Sequence, residues 1–239
     1  MKLAIVIPTY NEAETISSLI KELFEKIKQL VEKLDILIID DSSPDGTAEI
    51  VRGLGEKYEK ITVIQRPKKM GLGAAYKEGF RHVLEKLDSE LVVQMDADLS
   101  HDPKELPNFV KNLNEYPFVI GSRYISGGKC LMKGSRLVMS KIGNLFIKFI
   151  SGIKCNEFTT SYRGFDIKNL KNFHLNDVTE SGYSFFMGTL FEINKKKFPI
   201  KEIPIIFTDR EKGVSKIPKL EIFRTLKNLI TYFVKKIFS

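Results

Sequence analysis

The chain reads as one α/β domain built on a parallel sheet. Three features of its 239 residues point there: short apolar runs rich in β-branched residues, helical patterns alternating with them through the first half, and polar clusters at the ends of the runs. Strands joined by crossover helices have this appearance in sequence. With 43% hydrophobic content, the chain can bury one substantial core, which argues against intrinsic disorder.

Taken in order, strands are expected at 3–8, 36–39, 61–64, 91–95 and 118–120, with helices near 12–34, 46–58, 73–87 and 103–115. Ala4-Ile5-Val6-Ile7 and Leu37-Ile38-Ile39 are continuously apolar, the pattern of parallel strands buried on both faces. Past residue 120 the alternation fades. Residues 129–175 are basic and mixed, 202–207 reads as a late strand and 219–238 as a helix. No repeat, low-complexity segment or linker marks a second independent domain.

Charge divides the chain. Residues 1–120 hold 16 Lys/Arg against 21 Asp/Glu, whereas residues 121–239 hold 22 against 9. A basic second half suits an anionic partner, such as a phosphorylated ligand or an acidic membrane surface, although a solvated basic face has the same composition. Nucleic acid is disfavoured by the acidic first half and by the lack of a basic aromatic platform. Cys130 and Cys155 are too few for a disulfide framework and lack metal-ligand spacing, so reduced thiols in a cytosolic protein are expected. The apolar start is too short for a signal peptide. No run reaches the roughly 18–20 apolar residues of a spanning helix.

Ligands of open α/β sheets bind where strands end at their carboxyl termini. Pro8-Thr9-Tyr10-Asn11-Glu12, Asp40-Asp41-Ser42-Ser43-Pro44-Asp45-Gly46-Thr47 and Asp96-Ala97-Asp98-Leu99-Ser100-His101 all fall at such ends. In an extended segment alternate side chains point the same way, so Asp96 and Asp98 can address one ligand, with Ala97 leaving room between them. Such a carboxylate pair suits Mg²⁺ or a similar hard cation bridging to a diphosphate; it equally suits capping of the helix near Pro103. Asp41 is placed to accept hydrogen bonds from a ribose or base, while Asp45 suits the following turn and helix start. Gly71-Leu72-Gly73 opens a helix and serves either a tight turn or close approach of an anion.

These segments, taken in order with Gly121-Ser122-Arg123-Tyr124, resemble the family 2 glycosyltransferases, and within them the dolichol-phosphate mannose synthase group. The resemblance runs from about residue 3 to about 216. It implies a nucleotide-diphospho-sugar transferase (GT-A type) fold over 1–216, with helices on both faces of a mainly parallel sheet; beyond it, the apolar pattern of the residues themselves gives a C-terminal amphipathic helix over 217–239. It implies an inverting enzyme that moves a hexose, with mannose from GDP-mannose first and glucose from UDP-glucose second, to a polyprenyl phosphate. The matching positions put Pro8, Tyr10, Glu12, Ile39 and Asp41 on the nucleotide, and Asp96, Ala97 and Asp98 on the metal and diphosphate. Ser100 matches a further metal-site position for Mg²⁺ or Mn²⁺. Arg123, Arg210 and Lys216 match donor- or phosphate-contacting positions, and Asp96, Asp98 and Arg123 form the expected catalytic set. Three departures stand out: after Gly182-Tyr183, where many relatives carry an acidic residue, the first acid reached is Glu192; Glu157 stands where the pattern commonly has Asp, and Thr160 where it has Gly.

A polyprenyl phosphate carries about −1.5 to −2 charges at neutral pH if it behaves as other phosphate monoesters do, so it calls for cations and hydroxyls more than for a general base. Arg123, Arg136, Ser140, Ser161 and Arg163 supply both. Arg136 and Ser140 share a face if their segment is helical. Apolar residues from Leu137 to Ile150, interleaved with Lys141 and Lys148, form an interfacial amphipathic pattern, and Leu220 to Val234 repeats it. Packing of either helix on the core would use the same pattern. The expectation is peripheral docking on the cytoplasmic membrane face, through these helices or a membrane partner subunit. A non-catalytic membrane-surface binder of nucleotide sugars is the rival from another class.

Overall fold

The computed structural model describes residues 1–182, 184–208 and 228. All five expected strands form, as β1 (Lys2–Thr9), β2 (Lys33–Asp40), β3 (Ile61–Gln65), β4 (Leu91–Gln94) and β5 (Phe118–Ser122). The late strand splits. Residues Ile200–Pro204 join the main sheet, whereas Ile206–Phe207 pair with Lys129–Cys130 in a two-stranded sheet. In chain order Lys129–Cys130 is β6, Arg163–Asp166 is β7, Ile200–Pro204 is β8 and Ile206–Phe207 is β9.

The main sheet has seven strands in the order β3-β2-β1-β4-β7-β5-β8. All its pairings are parallel except those of β7, which runs antiparallel between β4 and β5. That strand was not expected from sequence. It has only four residues, carries Arg163 and Asp166 at its ends, and lies in a stretch without apolar alternation.

The order also explains where a ligand can sit. From β1 the chain steps outward to β2 and β3, then returns to place β4 on the other side of β1. In open α/β sheets the loops diverge at such a reversal, and ligands bind in the crevice beyond the carboxyl ends, here those of β1 and β4. β1 is the spine of the core: Leu3, Ala4, Ile5, Val6 and Ile7 are fully buried. Burial of a side chain the size of Leu, Ile or Val contributes about 1.5–3 kcal/mol.

Helices cover both faces. Against one pack α1 (Ile16–Ile27), α2 (Thr47–Gly55) and α4 (Leu106–Leu113); against the other pack α3 (Leu72–Lys86) and α6 (Ser184–Lys195). Between α4 and α6 in the chain lies α5 (Gly134–Ser151), which ends at Gly152 in the left-handed conformation, φ +66°. α1 is shorter than the 12–34 expected. The Glu12 carbonyl accepts the Thr15 and Ile16 N–H groups at its start, and β2 reaches back to Lys33, in register with Lys2. The helix near 103–115 likewise begins as a 3₁₀ turn at Pro103–Glu105, where Asp102 accepts the Lys104 N–H, before α4 proper. Of the helix expected at 217–239 only Asn228, which is helical, is among the described residues; Arg210 and Lys216 lie outside them.

Candidate active site beyond the strand ends

The loops after β1 and β2 are stitched together by short polar side chains. Asp40 is fully buried and accepts Thr9 Oγ1 at 2.8 Å, the Ser43 N–H at 2.8 Å and Ser43 Oγ at 2.6 Å. The Asn11 N–H donates to Ser43 Oγ and the Glu12 N–H to Thr47 Oγ1. Asp45 accepts the Ala13 N–H, the Thr47 N–H and the Thr47 hydroxyl, which makes it a loop brace at the start of α2. Burial would push its carboxyl up, but these bonds outweigh it and hold it below the usual range. Asn11 takes a positive φ of 58° to make the turn. Tyr10 and Glu12 are thereby carried into the crevice, half-buried, with Lys69 Nζ 4.2 Å from the centre of the Tyr10 ring.

Asp41 stands beside them, oriented by two donors. Arg66 Nε bonds its Oδ1 at 2.5 Å and the Met70 N–H bonds its Oδ2 at 3.2 Å, while Arg66 Nη2 reaches the Gly71 carbonyl. Gly71 is left-handed at φ +92°, and a Cβ on Gly73 would lie 2.9 Å from the Phe185 ring. Both glycines therefore serve a turn and close packing. Pro8 pairs with Ile39 at the same level of the sheet. The Ile39 side chain is wholly inside the core, so only its backbone can face a ligand.

β4 ends at Gln94, and the two aspartates are not simply alternate residues of a strand as expected. Residues 97–100 bend, with Leu99 at φ 61°, and the carboxylates acquire different settings. Asp96 is half-buried and accepts the Tyr76 hydroxyl at 3.1 Å. Tyr76 is enclosed; burial first and the Asp96 charge second push its phenol well above the usual value, so it stays a donor. Asp98 is buried, and its Oδ1 accepts Ser100 Oγ at 2.6 Å and the Ser100 N–H at 3.1 Å. Ala97 packs into the core between them. A capping role near Pro103 falls to Asp102, not to this pair.

The acceptor-side residues do not behave alike. Arg123, buried, is gripped by Glu157 through Nε at 2.6 Å and Nη2 at 2.7 Å, and by Thr159 Oγ1 at 2.7 Å. Burial penalises both charges, yet their attraction wins: the Arg123 guanidinium is held above its usual value and the Glu157 carboxyl below its own. Phe207 and Tyr124 lie against the guanidinium. Arg136 and Ser140 fall four residues apart on α5, and Ser140 Oγ accepts the Tyr124 hydroxyl at 2.6 Å. Ser161 is buried in contact with the Tyr76 phenol.

Arg163 corrects the sequence reading. It is fully buried, and its donors go to the carbonyls of Thr160, Phe186 and Phe158 at 2.9, 2.6 and 3.1 Å, so it braces the loop instead of facing a ligand. Burial pushes it down to about 9, so it remains charged at neutral pH. Sequence reasoning also missed Tyr76, the pairing of Arg66 with Asp41 and the ring of His101, each recognisable only through its partner. Cys130 and Cys155 are free thiols, and burial pushes Cys155 up.

Comparison with known proteins agrees with this geometry. Residues 4–198 match the family model described as glycosyl transferase family 2. The chain is 34% identical over 218 residues to the undecaprenyl-phosphate mannosyltransferase of Micrococcus luteus, covering 91% of this chain and 88% of that one. It is 36% identical over 216 residues to the polyprenol monophosphomannose synthase of Mycolicibacterium smegmatis, covering 89% and 80%. Among solved structures, glucosyl-3-phosphoglycerate synthase from Mycobacterium tuberculosis shares the fold, with a TM-score of 0.69 at 16% identity over 98% of this chain and 79% of that one. A crevice lined from the ends of β1, β2 and β4, and a match that spans nearly all of the sheet, lead to one conclusion: the chain belongs to glycosyl transferase family 2.

Proposed function

We propose that the protein is an inverting hexosyltransferase that moves mannose from GDP-mannose to a polyprenyl phosphate at the cytoplasmic membrane face. The observation that carries this reading is an adjacency. A carboxylate pair suited to a diphosphate donor is linked through His101, Thr160 and Glu157 to the buried Arg123, and the loop carrying Glu157 and Thr159 is bonded to Asn144 of α5, a helix whose apolar stripe faces outward. The names of the two curated relatives, which specify mannosyl transfer to undecaprenyl phosphate and synthesis of polyprenol monophosphomannose, point the same way.

On this reading Tyr10, Glu12 and Asp41 hold the nucleotide, with Asp41 already oriented by Arg66. The donor set at Asp96, Asp98 and Ser100 is all hard oxygen, which fits Mg²⁺ or Mn²⁺. Among the described residues no third His, Cys, Asp or Glu joins the pair, and a cation of this kind commonly completes its shell with phosphate oxygens and water. When bound, it would neutralise charge on the diphosphate leaving group. Solved complexes of glucosyl-3-phosphoglycerate synthase contain Mn²⁺ with UDP.

The chain's own groups do the positioning. The Tyr76 hydroxyl orients Asp96, and the Ser100 hydroxyl and N–H orient Asp98. Ser140 Oγ, held beside the Tyr124 hydroxyl, can donate to an acceptor phosphate that Arg136 and Arg123 would attract. That phosphate is already ionised near neutral pH, so attack from the face opposite the leaving group needs no strong base and inverts the anomeric centre. Catalysis then rests on placement and on charge held ready. Arg210 and Lys216 are proposed for the donor phosphates on the resemblance alone.

Membrane contact is assigned to α5, whose stripe exposes Ile142 at 61%, Leu145 at 68% and Phe149 at 83%. No helix among the described residues is long and apolar enough to cross a membrane. The test is a panel of radiolabelled nucleotide sugars offered with a short polyprenyl phosphate, with and without chelator. Metal-dependent labelling of the lipid from GDP-mannose is expected. Labelling from UDP-glucose would change the sugar, and nucleotide binding with no labelling from any donor would make the protein a binder.

A further inference from the structure

We propose that His101 is a positioning residue that ties the backbone of the metal-site aspartates to the acceptor-side loop 157–163, with Thr160 supplying the second anchor. The inference rests on the donor-site reading above. Both ring nitrogens are used, in opposite directions. Nδ1 accepts the Asp96 N–H at 3.0 Å, which leaves the proton on Nε2, and Nε2 faces Thr160 Oγ1 at 3.4 Å, near the limit of a hydrogen bond. Thr160 is in turn held by Glu157, whose Oε1 accepts the Thr160 N–H at 3.2 Å and also grips Arg123. A continuous polar path therefore runs from Asp96 through His101, Thr160 and Glu157 to Arg123.

The ring is fixed on its remaining sides. Tyr162 stacks on it with centroids 4.8 Å apart, and Tyr162 is itself stacked on Phe109 and bonded to the Asp102 carbonyl. Phe207 meets His101 edge-on at 5.8 Å and in an isolated antiparallel bridge, and the same Phe207 ring lies 5.0 Å from the Arg123 guanidinium. With 1% of its surface exposed, His101 occupies a place that a phenylalanine or leucine would fill more cheaply if packing were its only use. What an imidazole adds is two bonds in fixed directions, one to each side of the crevice. Thr160 matters because a glycine at that position, as the related pattern has, leaves Nε2 without this hydroxyl.

Outer partners of metal ligands set affinity by roughly 10–100-fold. The two amide substitutions separate the two bonds, since the asparagine side chain places an oxygen near Nδ1 and glutamine places a group near Nε2. The experiment compares wild type, His101→Asn, His101→Gln and Thr160→Val by calorimetric titration of GDP, and of UDP in parallel, with and without Mn²⁺, alongside thermal unfolding. His101→Gln is expected to weaken Mn²⁺-dependent nucleotide binding by roughly 10-fold or more while leaving metal-free binding within about 3-fold, and His101→Asn, which keeps the Nδ1 bond but loses the contact with Thr160, to give a smaller, intermediate loss. Thr160→Val is expected to give an intermediate loss. Equal losses in the asparagine and glutamine variants, or lowered melting with unchanged Mn²⁺ dependence, would reduce His101 to packing and overturn the proposal. If neither His101 variant folds, Thr160→Val decides: unchanged Mn²⁺-dependent binding overturns it. A wild type that binds Mn²⁺ and nucleotide but transfers no sugar would end the functional reading and leave this comparison intact; a wild type without Mn²⁺-dependent binding would end both.

Discussion

α1 and α5 are both amphipathic helices, and they use their apolar stripes in opposite ways. In α1 the stripe Ile16, Leu19, Ile20, Leu23, Phe24 and Ile27 is buried against the sheet. In α5 the stripe Val138, Met139, Ile142, Leu145, Phe146 and Phe149 is exposed, and the face that seats the helix is a narrow line including Asn144, Ile147 and Ser151. Asn144 makes that seat specific: its Oδ1 accepts the Phe158 N–H at 2.7 Å and its Nδ2 bonds the Ser140 carbonyl at 2.8 Å. A helix attached by polar bonds with its hydrophobes turned outward is prepared for an apolar surface other than its own core. Hydrophobic spacing alone does not separate these two cases; burial does.

The comparison sets an order of expected effects. Glu157→Ala leaves a buried guanidinium without its partner under the loop that receives α5, and should cost about 3–5 kcal/mol in denaturant unfolding. Its pH signature has a fixed sign. The Glu157 carboxyl is depressed in the fold, so its contribution is complete above the ordinary glutamate value near about 4.3 and is lost as pH falls through the lower folded value. The stability gap between wild type and Glu157→Gln should therefore be wide at neutral pH and close in acid; a gap independent of pH would contradict it.

Leu19→Ala, in the fully buried stripe of α1, should cost about 2–5 kcal/mol. Asn144→Ala strands the Phe158 N–H and should cost about 1–3 kcal/mol, with faster amide exchange confined to α5 and its seat. Leu145→Ala, on the outward stripe, should change unfolding by no more than about 0.5 kcal/mol while weakening binding to anionic vesicles. If Leu145→Ala destabilised the fold as Leu19→Ala does, the contrast between the helices would collapse.

Much of this was legible in the sequence where local chemistry decides. The buried parallel strands declared themselves through continuous apolar runs, and the strand-end clusters located the crevice before any geometry was known. The helical register that unites Arg136 and Ser140 was likewise readable. What escaped depends on partners distant along the chain. β7 is a strand because β4 and β5 flank it, and Arg163 looked like a phosphate ligand until three carbonyls enclosed it. Glu157 stood out as a departure, but its grip on Arg123 spans 34 residues of chain. The differing settings of Asp96 and Asp98 follow from the bend at Leu99, which no spacing rule announces.

The central claim joins the catalytic crevice to the outward helix, and one measurement tests that union. Transfer of labelled mannose is compared for wild type and the triple variant Ile142→Ser, Leu145→Ser, Phe149→Ser, using polyprenyl phosphate in anionic vesicles and a short water-soluble analogue. Each apolar side chain removed forfeits about 1.5–3 kcal/mol of burial in the bilayer surface. Transfer in vesicles should fall by about 10-fold or more, while transfer to the soluble acceptor stays within about 3-fold of wild type. Equal transfer by both proteins in vesicles, or loss of both activities together in a variant that remains folded, would contradict the account.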